Sequence, residues 1–562
     1  MEPKILKKRR LRFASAAAVA AASAAAMLAT FALPSASSAS AARAAAGSVL
    51  TMESSPENSI TQDFNPLVQS TGAYQMGADS LIYEPLLQFN LSRPSQAPYY
   101  FLATAYKWGT GGKSITFTVR TGVKFSDGSA MTPADVAFSF AMLQKYPDVN
   151  TAGIPITGTS VSGNNVTVTF SSAQYTNLQA IGNVYVVPQA SWSTVGDPAM
   201  YTDANPVGTG PYTFGTFSAS GIMLNANPNY WGGTPSIGQV DFPVYASNDT
   251  VLSALTTNAL DWAGNFLTGL QAAYIAPSPS THHDYFAAVQ TNTLEPNLNV
   301  WPTNQLAVRK AISLAIDRTA ISTQGEAGLE PVATNASGIV LPGFKNLLVP
   351  AVAKDTLSAH ANPAAAIKLL KAAGYVIKNG FFSKGGKEVT IPVTDPSAYT
   401  DYAEDDALVA QELKAAHINA TFVGQSATAW AADLASGKFV LSMHWSQTTI
   451  SAYQLYDYWL NSALITNNSA GNFERLRDPA INKDLSALAG QTSIKGQIKD
   501  LTPIEQYVAQ NLPVIPTVYG AAFEEYNSSR FTGFPSASNS YEIGQPGSPQ
   551  NEVVVLRLKP TS

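Results

Sequence analysis

Hydrophobic and polar residues alternate along residues 115–120, which read ITFTVR. A period of two predicts a half-buried β-strand. Glycine-rich residues 109–112 predict a turn before this strand, and the Asp127-Gly128 pair predicts a turn after it. The same alternation returns over residues 161–171 and predicts another strand.

Two stretches carry the residues that begin a helix. Thr132-Pro133 is followed by Asp135, so the threonine can cap the helix, the proline suits its first turn and the acid can accept the cap residue's N–H. Thr502-Pro503 followed by Glu505 repeats this order. We therefore predict that one helix begins at Pro133 and another at Pro503.

Helical periodicity recurs in the second half of the chain. Residues 305–318, QLAVRKAISLAIDR, place apolar side chains at i, i+3, i+4, i+7 and i+8, which predicts an amphipathic helix. Asn362-Pro363 predicts the start of a helix that stops at Gly374, and residues 405–416 predict another. Residues 439–445 are apolar and predict a strand.

The composition is that of a folded protein with more than one domain. A chain of 562 residues is long enough for two or three domains, and 45% hydrophobic with 13% charged residues is globular rather than disordered. The formal net charge of −5, with no basic run beyond the N-terminus, argues against nucleic-acid binding. The absence of cysteine excludes disulfides, cysteine-ligated zinc and a lipid-modified cysteine anchor.

The first 46 residues have the layout of an export signal. Basic residues cluster over 4–12, and an alanine-rich apolar stretch over 13–33 follows them. Small residues at 39–41 and 44–46 offer cleavage sites. An uncleaved membrane anchor is the alternative, because about 20 apolar residues are just enough to span a bilayer.

Several motifs together resemble one protein family, the family 5 extracellular solute-binding proteins of ABC importers, whose members bind peptides, nickel or oligosaccharides. The match begins in residues 102–143 and includes RTGVKF at 120–125. It continues in NPVGTGPY at 205–212, NPNYWGG at 227–233 and the amphipathic segment 305–318. This long ordered match is specific for the family and says little about the ligand.

The resemblance implies an α/β, two-lobed periplasmic-binding-protein-like fold of type II, with an extra small subdomain in lobe one. A ligand would lie between the lobes, and the partners would be that ligand and the permease subunits of an ABC importer. A monomer without cofactor, metal or catalytic residues is expected. The expected segments are an export signal at 1–46, lobe one at 47–87, its small subdomain at 88–200, lobe one again at 201–298, lobe two at 299–515 and a return segment of lobe one at 516–562.

One position bears on the ligand. In peptide-binding relatives, a tryptophan that resembles Trp445 is followed three residues later by an aspartate that holds the peptide's ammonium, and here that position is Thr448. A buried ammonium needs a paired carboxylate. The change predicts a neutral, polar pocket suited to sugars or to blocked or cyclic peptides, unless Glu53 or Asp63 supplies the acid. The candidate binding residues are His444, Trp445, Gln447, Thr448, Thr449, Asn265, Phe64 and Asn65.

The functional hypothesis is an exported binding protein that acts at the cell surface or in the periplasm. An oligopeptide is the expected ligand and an oligosaccharide the alternative. The alternative from a different functional class is a secreted hydrolase or sensor domain built on the same fold. The sequence contains no nucleophile-elbow, zinc-helix or dinucleotide motif that would support it. Two further expectations are that Asp79 and Glu84 are surface charges and that His282-His283 lies in a surface loop.

Overall fold

The computed structural model describes residues 48–54, 56–57, 59–341, 343–397, 399–465, 471–547 and 549–561. The export signal predicted over residues 1–46 lies outside the described residues. Within those ranges, no helix is both long and apolar enough to cross a membrane.

Helices begin at two of the three predicted capping sites. Asp135 Oδ2 accepts the backbone N–H of Thr132 over 2.8 Å, and Asn362 Oδ1 accepts the N–H of Ala365 over 3.0 Å. The helix starts predicted at Pro133 and Pro363 are therefore confirmed. The helices are α1 (Gly72–Gln75), α2 (Asp79–Ile82), α3 (Pro133–Lys145), α4 (Leu178–Gly182), α5 (Gln189–Trp192), α6 (Asn248–Thr256), α7 (Leu306–Ala315), α8 (Arg318–Ala320), α9 (Pro363–Ala372), α10 (Thr400–Ala415), α11 (Ala427–Ser436), α12 (Ala452–Leu460), α13 (Pro479–Ala489), α14 (Ile494–Asn511) and α15 (Asn551–Val555).

The third predicted start, at Thr502-Pro503, is wrong. Ser493 caps α14 well before it, and Pro503 lies inside the helix. Proline there removes one backbone hydrogen bond, while the Thr502 hydroxyl donates to the carbonyl of Ile498 over 2.7 Å. Burial of Leu501, Ile504 and Val508 along one face stabilises a helix that continues through the proline.

Most strands are short. They are β1 (Val49–Thr51), β2 (Leu87–Gln88), β3 (Tyr99–Tyr100), β4 (Ala103–Trp108), β5 (Ser114–Val119), β6 (Ile156–Ser162), β7 (Asn165–Phe170), β8 (Tyr212–Ser218), β9 (Gly221–Ala226), β10 (Gln239–Pro243), β11 (Trp262–Ala263), β12 (His282–Asp284), β13 (Ala287–Ala288), β14 (Asn292–Pro296), β15 (Val376–Lys378), β16 (Phe381–Lys384), β17 (Lys387–Glu388), β18 (Thr390–Pro396), β19 (Asn419–Gln425), β20 (Leu441–Trp445), β21 (Ile515–Val518), β22 (Ala521–Ala522), β23 (Glu525–Asn527), β24 (Phe531–Thr532) and β25 (Lys559–Pro560).

The first lobe contains two four-stranded sheets over one continuous core. One sheet has the order β1-β10-β9-β8, with β1 parallel to β10. The other has the order β4-β5-β7-β6 and packs under α3; with α4 and α5 it falls within residues 88–200, the expected small subdomain. The strand predicted over 115–120 is confirmed as β5. The strand predicted over 161–171 is divided instead, because a turn at Gly163 separates β6 from β7.

The second lobe is built on a five-stranded sheet of order β19-β18-β20-β14-β21. Buried residues of α7, α9 and α10 pack with the sheet in one core, and α12, α13 and α14 enclose another. The helix predicted over residues 305–318 is observed as α7, with Val308, Ala311 and Ile312 buried. The apolar segment 439–445 contains β20, as predicted.

Two adjacent segments join the lobes. Strand β13 pairs with β22, and each continues directly into a strand of the second lobe, β14 and β21. Between them, the N–H of Gly520 donates to the carbonyl of Gln290 over 2.9 Å. We propose that the lobe boundaries lie at this pair rather than at residues 298 and 515. The other expected segment boundaries remain predictions.

Two expectations about polar residues are wrong. Asp79 and Glu84 are fully buried rather than at the surface. His282 lies in strand β12 and is also buried, where its Nδ1 bonds the carbonyl of Tyr274 over 2.8 Å. Each of these side chains is therefore part of the interior of the first lobe.

Candidate functional site

A cavity of about 510 Å³ lies between the lobes. The first lobe contributes residues between Ser54 and Leu91, and the small subdomain contributes residues between Leu143 and Tyr185. The second lobe contributes Gln447, Thr448, Thr449 and Gln454. The C-terminal part of the first lobe contributes Ile543, Gln545, Pro546, Gly547, Pro549 and Gln550. Its volume is in the range of small-molecule binding sites.

No Asp, Glu, Lys, Arg or His is among the described residues that line this cavity. Carboxamides dominate the polar part of the wall, and apolar side chains such as Leu67, Ile154 and Ile543 form the rest. Each carboxamide offers both donors and an acceptor, so the wall can pair with neutral hydrogen-bonding groups. The glutamines are Gln69, Gln75, Gln179, Gln447, Gln454, Gln545 and Gln550.

Hydrogen bonds join the small subdomain to the second lobe at the cavity wall. Gln179 Oε1 accepts the backbone N–H of Ile450 over 2.9 Å and lies 3.1 Å from the Thr449 hydroxyl. Gln454 Nε2 donates to Asn177 Oδ1 over 3.0 Å. These contacts hold the two walls of the cavity together.

Thr448 connects the cavity to the segments between the lobes. Its hydroxyl donates to Gln290 Oε1 over 3.1 Å. The backbone of Gln290 is bonded to Gly520 in the neighbouring segment. A solute that contacts Thr448 is therefore one hydrogen bond away from the point where the lobes are joined.

Two predicted site residues, His444 and Trp445, lie in β20 and outside the cavity lining. The His444 ring stacks against both Trp430 and Trp445, with ring centroids 5.5 and 4.3 Å away. Burial lowers the pKa of His444 to about 4, and its Nδ1–H donates to the carbonyl of Trp445 over 2.7 Å. Glu295 is 3.8 Å away, and burial raises the pKa of that carboxyl, so burial disfavours the charged form of both groups.

The remaining predicted residues are held by neighbours within the first lobe. Phe64 is buried and meets Phe214 edge to face at 5.2 Å. Asn65 Nδ2 donates to the carbonyls of Pro198 and Tyr201 over 2.7 and 2.8 Å. Asn265 donates its side-chain N–H to Glu53.

The structure thus brings Gln447, Thr448 and Thr449 together at the cavity, while the other five predicted residues do not line it. The site assignment stays a prediction. Sequence reasoning missed Gln179 and Gln454, which close the wall between the subdomain and the second lobe. No local motif marks them, because isolated glutamines carry no recognisable spacing.

A second cavity, of about 310 Å³, adjoins the first and shares Leu91 and Thr449 with it. Residues 92–96 and 288–289, together with Val340, Gly343 and Phe344, contribute to its wall. Arg93 is the single charged side chain among the described residues that line it. The described chain contains no group of three or more His, Asp or Glu placed to hold a metal ion.

Residues 97–467 match the family model for the bacterial extracellular solute-binding proteins, family 5. The chain belongs to this family. Family 5 members are extracytoplasmic solute-binding proteins.

Two curated relatives span most of the chain. The nickel-binding periplasmic protein of Escherichia coli K12 is 24% identical over 384 residues, which covers 66% of this chain and 71% of that protein. The probable peptide-binding protein YejA of Agrobacterium fabrum is 22% identical over 526 residues, which covers 83% of this chain and 84% of the relative.

A solved structure confirms the fold. The periplasmic oligopeptide-binding protein of an ABC transporter from Thermotoga maritima superposes with a TM-score of 0.81 at 22% identity, covering 91% of this chain and 99% of that one. The same protein with mannohexaose bound gives a TM-score of 0.79, covering 92% and 99%. The two-lobed type II fold inferred from the motifs is therefore correct.

Proposed function

We propose that this family 5 protein captures an uncharged, amide-rich oligomer between its lobes and delivers it to the permease of an ABC importer. The first candidate is an oligopeptide whose amino terminus is blocked or absent, as in a cyclic peptide. The observation that carries this proposal is the interlobe cavity, whose described lining combines carboxamides with aliphatic side chains and contains no charge.

The mixed wall suits a peptide for two reasons. Carboxamides match the donors and acceptors of peptide groups. Aliphatic residues such as Leu143, Val149 and Ile154 can bury apolar side chains. A free ammonium placed in the same cavity would lose its hydration without a carboxylate to pair with, which is costly.

An oligosaccharide is the second candidate. Tyr74 and Tyr185 line the cavity beside the carboxamides, and hydroxyl-rich ligands fit a neutral wall of this kind. The structure of the oligopeptide-binding protein from Thermotoga maritima with mannohexaose bound supports this candidate.

A calorimetric titration with matched probes separates the candidates. The probes have comparable lengths and differ in terminal charge or in chemistry. They are acetyl-tetraalanine amide, free tetraalanine, cyclic tetraglycine, mannotetraose and cellotetraose. We expect binding of the blocked or cyclic peptide and at least tenfold weaker binding of free tetraalanine. Equal affinity for the free and blocked peptides would contradict the neutral-site proposal.

Small-angle scattering on the same samples tests the capture mechanism. A ligand that bridges two lobes shifts the population towards closed molecules. We expect a smaller radius of gyration with the bound probe than without it. An unchanged radius at saturation would leave binding intact but would contradict closure around the solute.

A further inference from the structure

Six exposed lysines gather at one corner of the second lobe, at the end of α9, on the β15–β17 sheet and at the end of α10. Lys384 Nζ donates to the carbonyl of Ala373 just after α9, over 2.9 Å. His417, just after α10, bonds the carbonyl of Gly380 in the β15–β16 turn over 2.9 Å. These contacts place the three elements side by side. The lysine corner consists of Lys368, Lys371, Lys378, Lys384, Lys387 and Lys414.

The positive charge of the lysine corner is not neutralised locally. None of its lysines belongs to the ion pairs found among the described residues. Residues 363–389 contain five of the lysines and a single acid, Glu388. Because residues 1–47 hold seven basic and one acidic residue, the rest of the chain carries a formal charge of −11. The corner is therefore a positive surface on an acidic protein, an asymmetry that orients a molecule near a charged surface.

Two aliphatic side chains stand exposed within this corner. Val376 is 61% exposed and Ile377 is 38% exposed, and both precede Lys378 in β15. Alternation along the strand puts Val376 and Lys378 on one face of the sheet and Ile377 on the other. Scattered exposed aliphatics are common on proteins, but here they lie among lysines on one small sheet.

We propose that the lysine corner docks the protein on an anionic phospholipid membrane. Ammonium groups would contact lipid headgroups, and Val376, on the same face as Lys378, would enter the boundary with the acyl chains. A soluble polyanion would use the lysines and leave Val376 in water, so this exposed side chain favours a lipid surface. Docking would keep the protein close to the membrane that holds an importer, and it does not depend on the identity of the solute.

Vesicle co-sedimentation of the chain from residue 47 onwards tests this proposal. The probes are vesicles of phosphatidylcholine alone and vesicles with 40% phosphatidylglycerol. We expect binding to the anionic vesicles only, weakening steeply between 50 and 300 mM salt. The triple variant Lys368→Gln, Lys371→Gln, Lys378→Gln should bind about a hundredfold more weakly, since each lysine near the surface contributes about fivefold.

Further variants distinguish docking on lipid from a general effect of net charge. The matched control Lys107→Gln, Lys483→Gln, Lys495→Gln changes the net charge equally at exposed sites elsewhere and should bind like the wild type. Val376→Thr should weaken vesicle binding without altering binding to polyphosphate, and Ile377→Thr, on the other face of the strand, should change neither. The proposal is overturned if the control variant loses as much vesicle binding as the corner variant does. It is also overturned if the wild type binds neutral vesicles as tightly as anionic ones, or binds polyphosphate as tightly as anionic vesicles. Thermal unfolding of every variant shows whether it is folded.

Discussion

Gln179 Oε1 in the small subdomain accepts the backbone N–H of Ile450 in the second lobe over 2.9 Å, across the wall of the interlobe cavity. Its amide oxygen lies within reach of the Thr449 hydroxyl as well. One side chain therefore joins two parts of the molecule that belong to different lobes.

Replacing Gln179 by alanine should favour the open form. The change leaves the Ile450 N–H without this partner, which costs about 1–3 kcal/mol when the group is buried. We expect a larger radius of gyration by small-angle scattering and weaker binding of whichever probe binds the wild type. Gln189→Ala, at an exposed glutamine of α5, is the matched control. A variant as compact as the wild type would show that the bond does not hold the lobes together.

A carboxylate at position 448 should change the ligand preference. Thr448 lines the cavity, so Thr448→Asp would supply the acid that a free ammonium needs. We expect free tetraalanine to gain affinity relative to its acetylated amide, by about tenfold in calorimetric titration. Thr448→Asn, of nearly the same shape but neutral, should not produce this shift. If the free peptide gains nothing, the solute does not place its amino terminus at Thr448.

The sequence predicted the local structure of this chain better than its site. The capping acid Asp135 and the apolar face of α7 follow from spacing within a few residues, and both are observed. The pairing of Gln179 with Ile450 joins residues 271 positions apart. Neither residue has a local pattern that requires such a contact, so it depends on how the lobes pack.

The burial of Glu84 is a second feature that the sequence alone did not predict. Acidic residues are rarely buried, so a surface position was the reasonable prediction. Its carboxylate instead accepts the indole N–H of Trp231 over 2.9 Å and shares a hydrogen bond with Glu552 in α15. The motif at 227–233 thus packs its aromatic residues against Glu84, a relation that only the folded chain reveals.

Several buried carboxyls face one another and should make the protein more stable in acid. Burial raises the pKa of Glu84, beside Glu552, to about 7 and that of Asp406, beside Asp395, to about 7. It raises the pKa of Glu326, beside Asp405, to about 8. The folded state therefore binds protons that the unfolded chain releases near pH 4.

The sign of the effect follows from this difference. The contribution of these protonated carboxyls to the free energy of unfolding is complete below about pH 4. It declines as the pH rises through about 7 to 8, because the unfolded chain loses these protons at a lower pH than the folded protein does. We expect the free energy of unfolding, from urea titrations, to be several kcal/mol greater at pH 5 than at pH 8, since each unit of pKa shift contributes about 1.4 kcal/mol. Asp406→Asn should reduce this dependence, whereas Glu404→Gln, exposed on the same helix, should not. Equal stability at both pH values would contradict proton sharing in the interior.

Glu330 accepts hydrogen bonds from both chain segments where they pass between the lobes. Its Oε1 accepts the backbone N–H of Ala521 over 2.7 Å, and its Oε2 accepts the side-chain N–H of Asn292 over 2.7 Å. Ala521 lies in β22, Asn292 begins β14 where the other joining segment enters the second lobe, and the Glu330 side chain is buried beside them.

Glu330→Gln should loosen this passage. A carboxamide has one acceptor oxygen and one donor nitrogen, so it can keep only one of the two bonds and sets an N–H against the other donor. We expect faster hydrogen exchange of the amides in residues 287–292 and 515–522 and a loss of about 1–3 kcal/mol in stability. Glu388→Gln, at an exposed carboxyl of the second lobe, should leave exchange in both segments unchanged. Unaltered protection in the Glu330 variant would mean that backbone pairing of β13 with β22 holds the passage without the carboxylate.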